Sequence, residues 1–210
     1  MAYETITYEV AEHALALLLA SARHLARQDR SVRAGKWDRI PAKLSHRLHG
    51  QVLGLVGFGR VARTLVEQSR GMGWHFLAFD PFLPGDVVQG YGVEQVGLEE
   101  LLGRSDMISV HAPLTAETRH LLSSGEFDLM KPGVIMVNTS RGPVIDEAAL
   151  ILALGSGKVA SAGLDVFEIE PLGQDNPLKQ MYNVTLTPHV AGYSEESVGD
   201  MYRAACCTAT

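Results

Sequence analysis

Cysteine is almost missing from this chain. The two present, Cys206 and Cys207, are adjacent and stand near the C-terminal end. Neighbours in sequence rarely bridge each other, so no disulfide framework is available. Reduced thiols and a cytoplasmic protein are expected. An excess of positive charge is missing too. The formal net charge is −6, which leaves no basic field to hold nucleic acid or an anionic membrane. Long apolar runs are also lacking. The longest, Ala14 to Ala20, is flanked by Glu12, His13 and Arg23 and is far too short to span a bilayer. With no basic segment before it and no cleavage-like site after it, it does not read as a secretory signal. There is no internal repeat and no low-complexity tract. No Cys/His/Asp cluster has metal-ligand spacing, so no metal is expected.

What is present is an ordinary globular composition. Of 210 residues, 46% are hydrophobic and 20% charged, enough for one large domain or two small ones. Val10 to Ala26 carries apolar residues at helical spacing. Its stripe of Leu15, Leu18, Leu19, Ala22 and Leu25 needs a partner surface, either the protein's own core or a second subunit. Its burial contributes roughly 1.5–3 kcal/mol per large side chain. A polar connection from Gly35-Lys36-Trp37 through Pro41 follows. Strands are predicted at 51–57, 74–80, 93–96, 107–111, 134–138, 159–166 and 184–187. Helices are predicted at 61–70, 98–103, 123–130, from Asp146 through Leu154, and at 194–205. Pro81, Pro84 and Gly85 read as a loop, and Asp146 as a helix cap. Short apolar strands alternating with helical patterns imply an α/β fold with a doubly wound parallel sheet. Such sheets bind ligands at the carboxyl ends of their strands. Gly59, Asp80, His111, Arg141, Asp165 and His189 all fall there.

Gly57-Phe58-Gly59-Arg60-Val61-Ala62 joins the first of these strands to a helix. A lone glycine motif is a weak signal, but this one has the right context. Gly57 permits a tight turn, Gly59 lets backbone approach a phosphate, and Ala62 allows close helix–strand packing. The helix N-terminus then offers free amides to a pyrophosphate. Asp80 follows about twenty residues later, where a carboxylate would accept from ribose hydroxyls. It would repel a 2′-phosphate, and no arginine follows it directly, so NAD is favoured over NADP.

Several segments together resemble the D-isomer-specific 2-hydroxyacid dehydrogenases, a family that includes the C-terminal-binding corepressors. They are Leu55 to Ala62; His111-Ala112-Pro113-Leu114-Thr115 with Thr118; Val137-Asn138-Thr139-Ser140-Arg141-Gly142; Gly163 to Glu168 with Glu170-Pro171; and Thr187-Pro188-His189-Val190-Ala191-Gly192. They run in the family's order over nearly the whole chain. The resemblance implies a Rossmann fold and NAD-linked hydride transfer between a 2-hydroxy acid and a 2-keto acid. By that likeness Arg141 binds the substrate carboxylate, His189 is the general acid or base, and Glu170 pairs with His189. Arg60 and Val61 would meet the pyrophosphate, and Asp165 would accept from the nicotinamide carboxamide. Ala112, Pro113, Thr118, Thr139, Ser140, His189 and Gly192 would also belong to the cofactor site. His111 is left off the catalytic set.

Family members are longer and carry a separate substrate domain, which this chain is expected to lack for the most part. The organisation read from the sequence is a helix and arm at 1–46, matching a two-fold dimer contact in the family. A cofactor-binding domain at 47–192 and a linking helix at 193–210 follow. A homodimer that binds NAD but turns over substrate poorly is therefore expected. The alternative is a non-catalytic NAD-sensing module of the corepressor type, and a third is a degenerate fragment that folds without a specific activity.

Overall fold

The computed structural model describes residues 6–37 and 44–208. Pro41 of the predicted connection lies outside the described residues, as do the side chains of Cys206 and Cys207. Two helices, α1 (Thr7–Ala22) and α2 (Leu25–Arg33), precede an alternating series. It runs β1 (Val52–Val56), α3 (Arg60–Ser69), β2 (His75–Phe79), α4 (Gly85–Gln89), β3 (Glu94–Gln95), α5 (Leu98–Arg104) and β4 (Met107–Val110). It continues with α6 (Ser124–Leu129), β5 (Val134–Asn138), α7 (Glu147–Ser156), β6 (Val159–Leu164), β7 (Val184–Leu186) and α8 (Glu195–Thr208).

Among the described residues the strands form one sheet of seven in the order β3-β2-β1-β4-β5-β6-β7, with every pairing parallel. The period of two along each strand divides two cores. Leu53, Leu55, Ala78, Met107 and Val137 face one, shared with α1 and α3. Val56, Leu77, Ile108, Val110 and Met136 face the other, beneath α5, α6 and α7. Strands covered on both faces must be apolar at consecutive positions, which is why they read as runs. The chain order reverses between β1 and β4, and that switch point opens a crevice at the strands' carboxyl ends.

Three expectations need correction. The first helix does not run to Ala26. It stops at Ala22, and His24 takes left-handed backbone at φ +53. Leu25 then starts a second helix, none of whose residues is buried. In the sequence Leu25 follows Ala22 at helical spacing although it is exposed, so periodicity could not reveal the break. Second, the buried face of α1 is Ala11, Ala14, Leu17, Leu18, Ser21 and Ala22. Leu15 and Leu19 are half-buried and Leu25 is exposed. The sheet and α3 are thus the partner of most of this surface. Third, Pro84 and Gly85 do not close a plain loop. Pro84 is the N-cap of the short helix α4, which buries Val88. No helix among the described residues is long and apolar enough to cross a membrane.

Candidate active site

The crevice is a cleft of about 1070 Å³. Its near wall is the turn after β1. Gly57 has φ +87, and a methyl group there would lie 2.7 Å from the Ala112 nitrogen. Only glycine fits such a position. Gly59 then caps α3, and Gly59, Arg60, Val61 and fully buried Ala62 line the cleft. Asp80 stands beyond this lining. Its two oxygens accept from the backbone N–H groups of Phe58 at 2.9 Å and Phe82 at 3.0 Å. The carboxylate therefore shapes the glycine turn and keeps lone pairs for a further donor.

Ala112 and Pro113 line the opposite side. Thr118 does not reach the lining. Its hydroxyl donates to Pro113 O at 2.5 Å and accepts from Thr115 N–H at 2.7 Å, so it folds the loop that presents Pro113. His111 lines the cleft beside them, 2.9 Å from the Ser109 hydroxyl. Burial pushes its imidazolium down to about 4, so it is neutral near pH 7.

The loop after β5 places Thr139, Ser140 and Arg141 on the cleft. Asn138 sets its course: its side-chain oxygen accepts from Ser140 N–H at 3.0 Å, and its amide donates to Arg141 O at 3.0 Å. The Arg141 side chain is exposed and donates to Ser140 O at 2.6 Å. Thr139 Oγ1 is buried with no partner, an oxygen waiting for a polar ligand.

Asp165 and His189 come from the loops after β6 and β7. Asp165 is fully buried. It accepts from Thr187 Oγ1 at 2.6 Å, Val190 N–H at 3.0 Å and Ala191 N–H at 2.9 Å, and its backbone oxygen accepts from His189 N–H at 2.8 Å. It therefore anchors the residues on both sides of His189. His189 has φ +56, and its Nδ1 lies 2.6 Å from Glu170 Oε2. The other Glu170 oxygen accepts from Phe167 N–H at 3.0 Å. An ionised carboxylate can only accept, so Nδ1 carries the proton and Nε2 is the nitrogen left for the cleft. Gly192 completes the lining.

The fold thus gathers Gly59, Arg60, Val61, Ala112, Pro113, Thr139, Ser140, Arg141, Asp165, His189 and Gly192 on one cleft. Glu170 joins through His189. Gly57, Asp80 and Thr118 support its walls from behind. Sequence reasoning missed the α1 side, where Ile6, Thr7 and Val10 also line the cleft; a residue far away in the chain gives no local signal for this. It also missed the structural part of Asn138, although a strand-ending asparagine before Thr-Ser is a turn signal.

A dinucleotide fits this arrangement. A glycine turn ends at a helix N-terminus, a carboxylate stands at the tip of the next strand, and a buried hydroxyl oxygen is unpartnered. Residues 15–191 match the NAD binding domain of the D-isomer specific 2-hydroxyacid dehydrogenases. The chain belongs to this family, and its cofactor is NAD. It is 44% identical over 191 residues to D-3-phosphoglycerate dehydrogenase of Archaeoglobus fulgidus, covering 91% of this chain and 36% of that protein. It is 43% identical over 195 residues to glyoxylate reductase of Korarchaeum cryptofilum, covering 91% and 59%. A solved structure of Aquifex aeolicus D-lactate dehydrogenase complexed with NAD and lactic acid superposes with a TM-score of 0.87 at 31% identity. That match covers 98% of this chain and 66% of the other. The chain therefore spans between about a third and three-fifths of the length of these two relatives.

Proposed function

We propose that the protein takes part in NAD-dependent interconversion of a D-2-hydroxy acid and its 2-keto acid. The observation that carries this reading is the His189–Glu170 couple at 2.6 Å, on the same cleft as Arg141. A planar guanidinium pairs bidentately with a carboxylate and draws charge from the adjoining carbonyl. Arg141 would so orient the substrate. His189 Nε2 protonates the carbonyl oxygen in reduction and takes that proton back in oxidation. Glu170, 2.6 Å from His189 Nδ1, holds the ring in orientation. NAD, when bound, supplies the hydride acceptor and its reduced form the donor. Gly59, Arg60 and Val61 would hold the pyrophosphate, Asp80 the ribose, and Thr139 and Asp165 the nicotinamide end.

The same reading takes the protein as a cytoplasmic homodimer, with residues 1–46 as the contact, 47–192 as the cofactor platform and 193–210 as a link. Its scarcity of cysteine supports the compartment. The unburied helix α2 supports the contact.

The test is to titrate NADH by fluorescence and then add pyruvate, glyoxylate, hydroxypyruvate or phenylpyruvate. Binding followed by oxidation is expected. Binding without oxidation by any of them favours the sensing module, and no binding defeats both. Replacing Arg141 or His189 should remove turnover and leave NADH affinity nearly unchanged, whereas Asp80→Ala should weaken NADH first.

A further inference from the structure

Arg141 and Glu170 ride on separate loops, after β5 and after β6, and their roles depend on a fixed separation. One contact between the loops is visible at Gly142, where an added methyl group would fall 1.9 Å from the Phe167 carbonyl carbon. The same two segments also meet where Glu147 N–H approaches Glu168 Oε1 at 3.5 Å. A further tie is a histidine–carboxylate couple apart from His189 and Glu170. His120 Nε2 lies 2.5 Å from Glu168 Oε1, and the His120 backbone N–H donates to Pro143 O at 2.8 Å. One residue therefore grips both loops. Glu168 is braced in turn: its N–H donates to Glu147 Oε2 at 3.2 Å, and Asn176 donates to Glu147 Oε1 at 2.6 Å. His120 makes these contacts from left-handed backbone, φ +53, a conformation unfavourable for a residue with a side chain. Neither His120 nor Glu168 lines the cleft.

We propose that His120 and Glu168 form a positioning pair that sets Arg141 in register with the Glu170–His189 couple. The pair touches no reacting atom. It acts by tying the Arg141 loop, through Pro143, to the loop that carries Glu168 and Glu170. This rests on the reading of Arg141 as the carboxylate anchor. A half-exposed ion pair alone contributes little; here it closes a network across three loops, so its loss is felt at the loop between its partners.

The test uses the full 210-residue chain and the variants Glu168→Ala, His120→Ala, the double replacement and Glu168→Gln. Backbone hydrogen exchange at 139–146 is followed first. Oxamate, a carboxylate analogue of 2-keto acids, is then titrated into the NADH-loaded protein. Each alanine variant should speed exchange at 139–146 by about fivefold, leaving the turn at 57–60 unchanged. Oxamate affinity should fall by about fivefold while NADH affinity stays within about twofold. The double variant should be no worse than either single one, because the partners share one interaction. Glu168→Gln keeps an acceptor oxygen for His120 and should recover most of both losses, which a purely packing role would not require. Unchanged exchange at 139–146 would overturn the proposal, and so would a loosened loop with intact oxamate affinity. If the unmodified NADH-loaded chain takes no oxamate, the reading of Arg141 fails, and the exchange data still decide whether the pair clamps the loop.

Discussion

At Gly142 the Arg141 loop meets the Phe167 carbonyl so closely that a Cβ would overlap it. Gly142→Ala must therefore push the two loops apart. A loss of about 1–3 kcal/mol is expected from such overpacking, read as a lowered urea midpoint. His111 yields a second expectation. Burial holds its folded pKa at about 4, against the ordinary 6.5. The unfolded chain takes up this proton as pH falls through 6.5, and the folded one only near 4. Stability from this group is thus complete above 6.5 and is lost between 6.5 and 4, with a slope of up to about 1.4 kcal/mol per pH unit. His111→Gln should flatten the fall in urea stability over that window. A slope equal to that of the unmodified protein would contradict the assignment. Arg141, Glu170 and His189 were legible as residue types in an ordered set. The pressure at Gly142 and the desolvation of His111 were not, because each is imposed by a loop or strand distant in sequence.

Helix ends carry the next layer. The Asp146 side chain accepts from Ala149 N–H at 3.1 Å and from the Ser123 hydroxyl at 2.9 Å. It therefore caps α7 and ties it to the start of α6. These hydrogen bonds, the Ala149 amide first, hold its carboxyl below the usual range. Asp146→Ala should cost about 1 kcal/mol, read by chemical denaturation. The deficit should shrink as pH falls through the carboxylate range, since the protonated cap is already weakened. No deficit at pH 7 would refute the cap's contribution. This cap was legible because Asp before a helix former is a local signal. The central strands were legible too, since burial on both faces leaves apolar runs such as 134–137. The break at His24 escaped because Leu25 keeps helical spacing to Ala22 in the sequence although it faces solvent. The short helix α4 escaped because Pro84 and Gly85 are ordinary loop residues, and only tertiary burial of Val88 distinguishes the segment.

At the scale of the whole molecule, solvent contact decides what is left to explain. Leu25 and Val32 on α2 are 54% and 52% exposed, and Trp37 beyond it is 77% exposed. Arg27 lies 5.0 Å over the ring of Tyr182, which is itself exposed. A two-fold pairing would cover this surface with its own copy. Light scattering at micromolar concentration should give twice the chain mass, and Leu25→Asp with Trp37→Asp should give the monomer. A monomer for the unmodified chain would remove the dimer. Exposure also bears on rate. The His189 and Glu170 side chains are 49% and 35% exposed, so water reaches the couple proposed to move the proton. Water screens the attraction between a guanidinium and a carboxylate, and transfer chemistry is favoured in a closed, dry cleft. The 210-residue chain should therefore bind NADH yet reduce glyoxylate slowly, below about 1 per second, the low end of typical enzyme turnover. Salt separates the steps: raising ionic strength to about 0.5 M should weaken keto-acid binding at the exposed Arg141 severalfold. Turnover far above that bound, insensitive to salt, would mean that the cleft closes over its substrate within this chain.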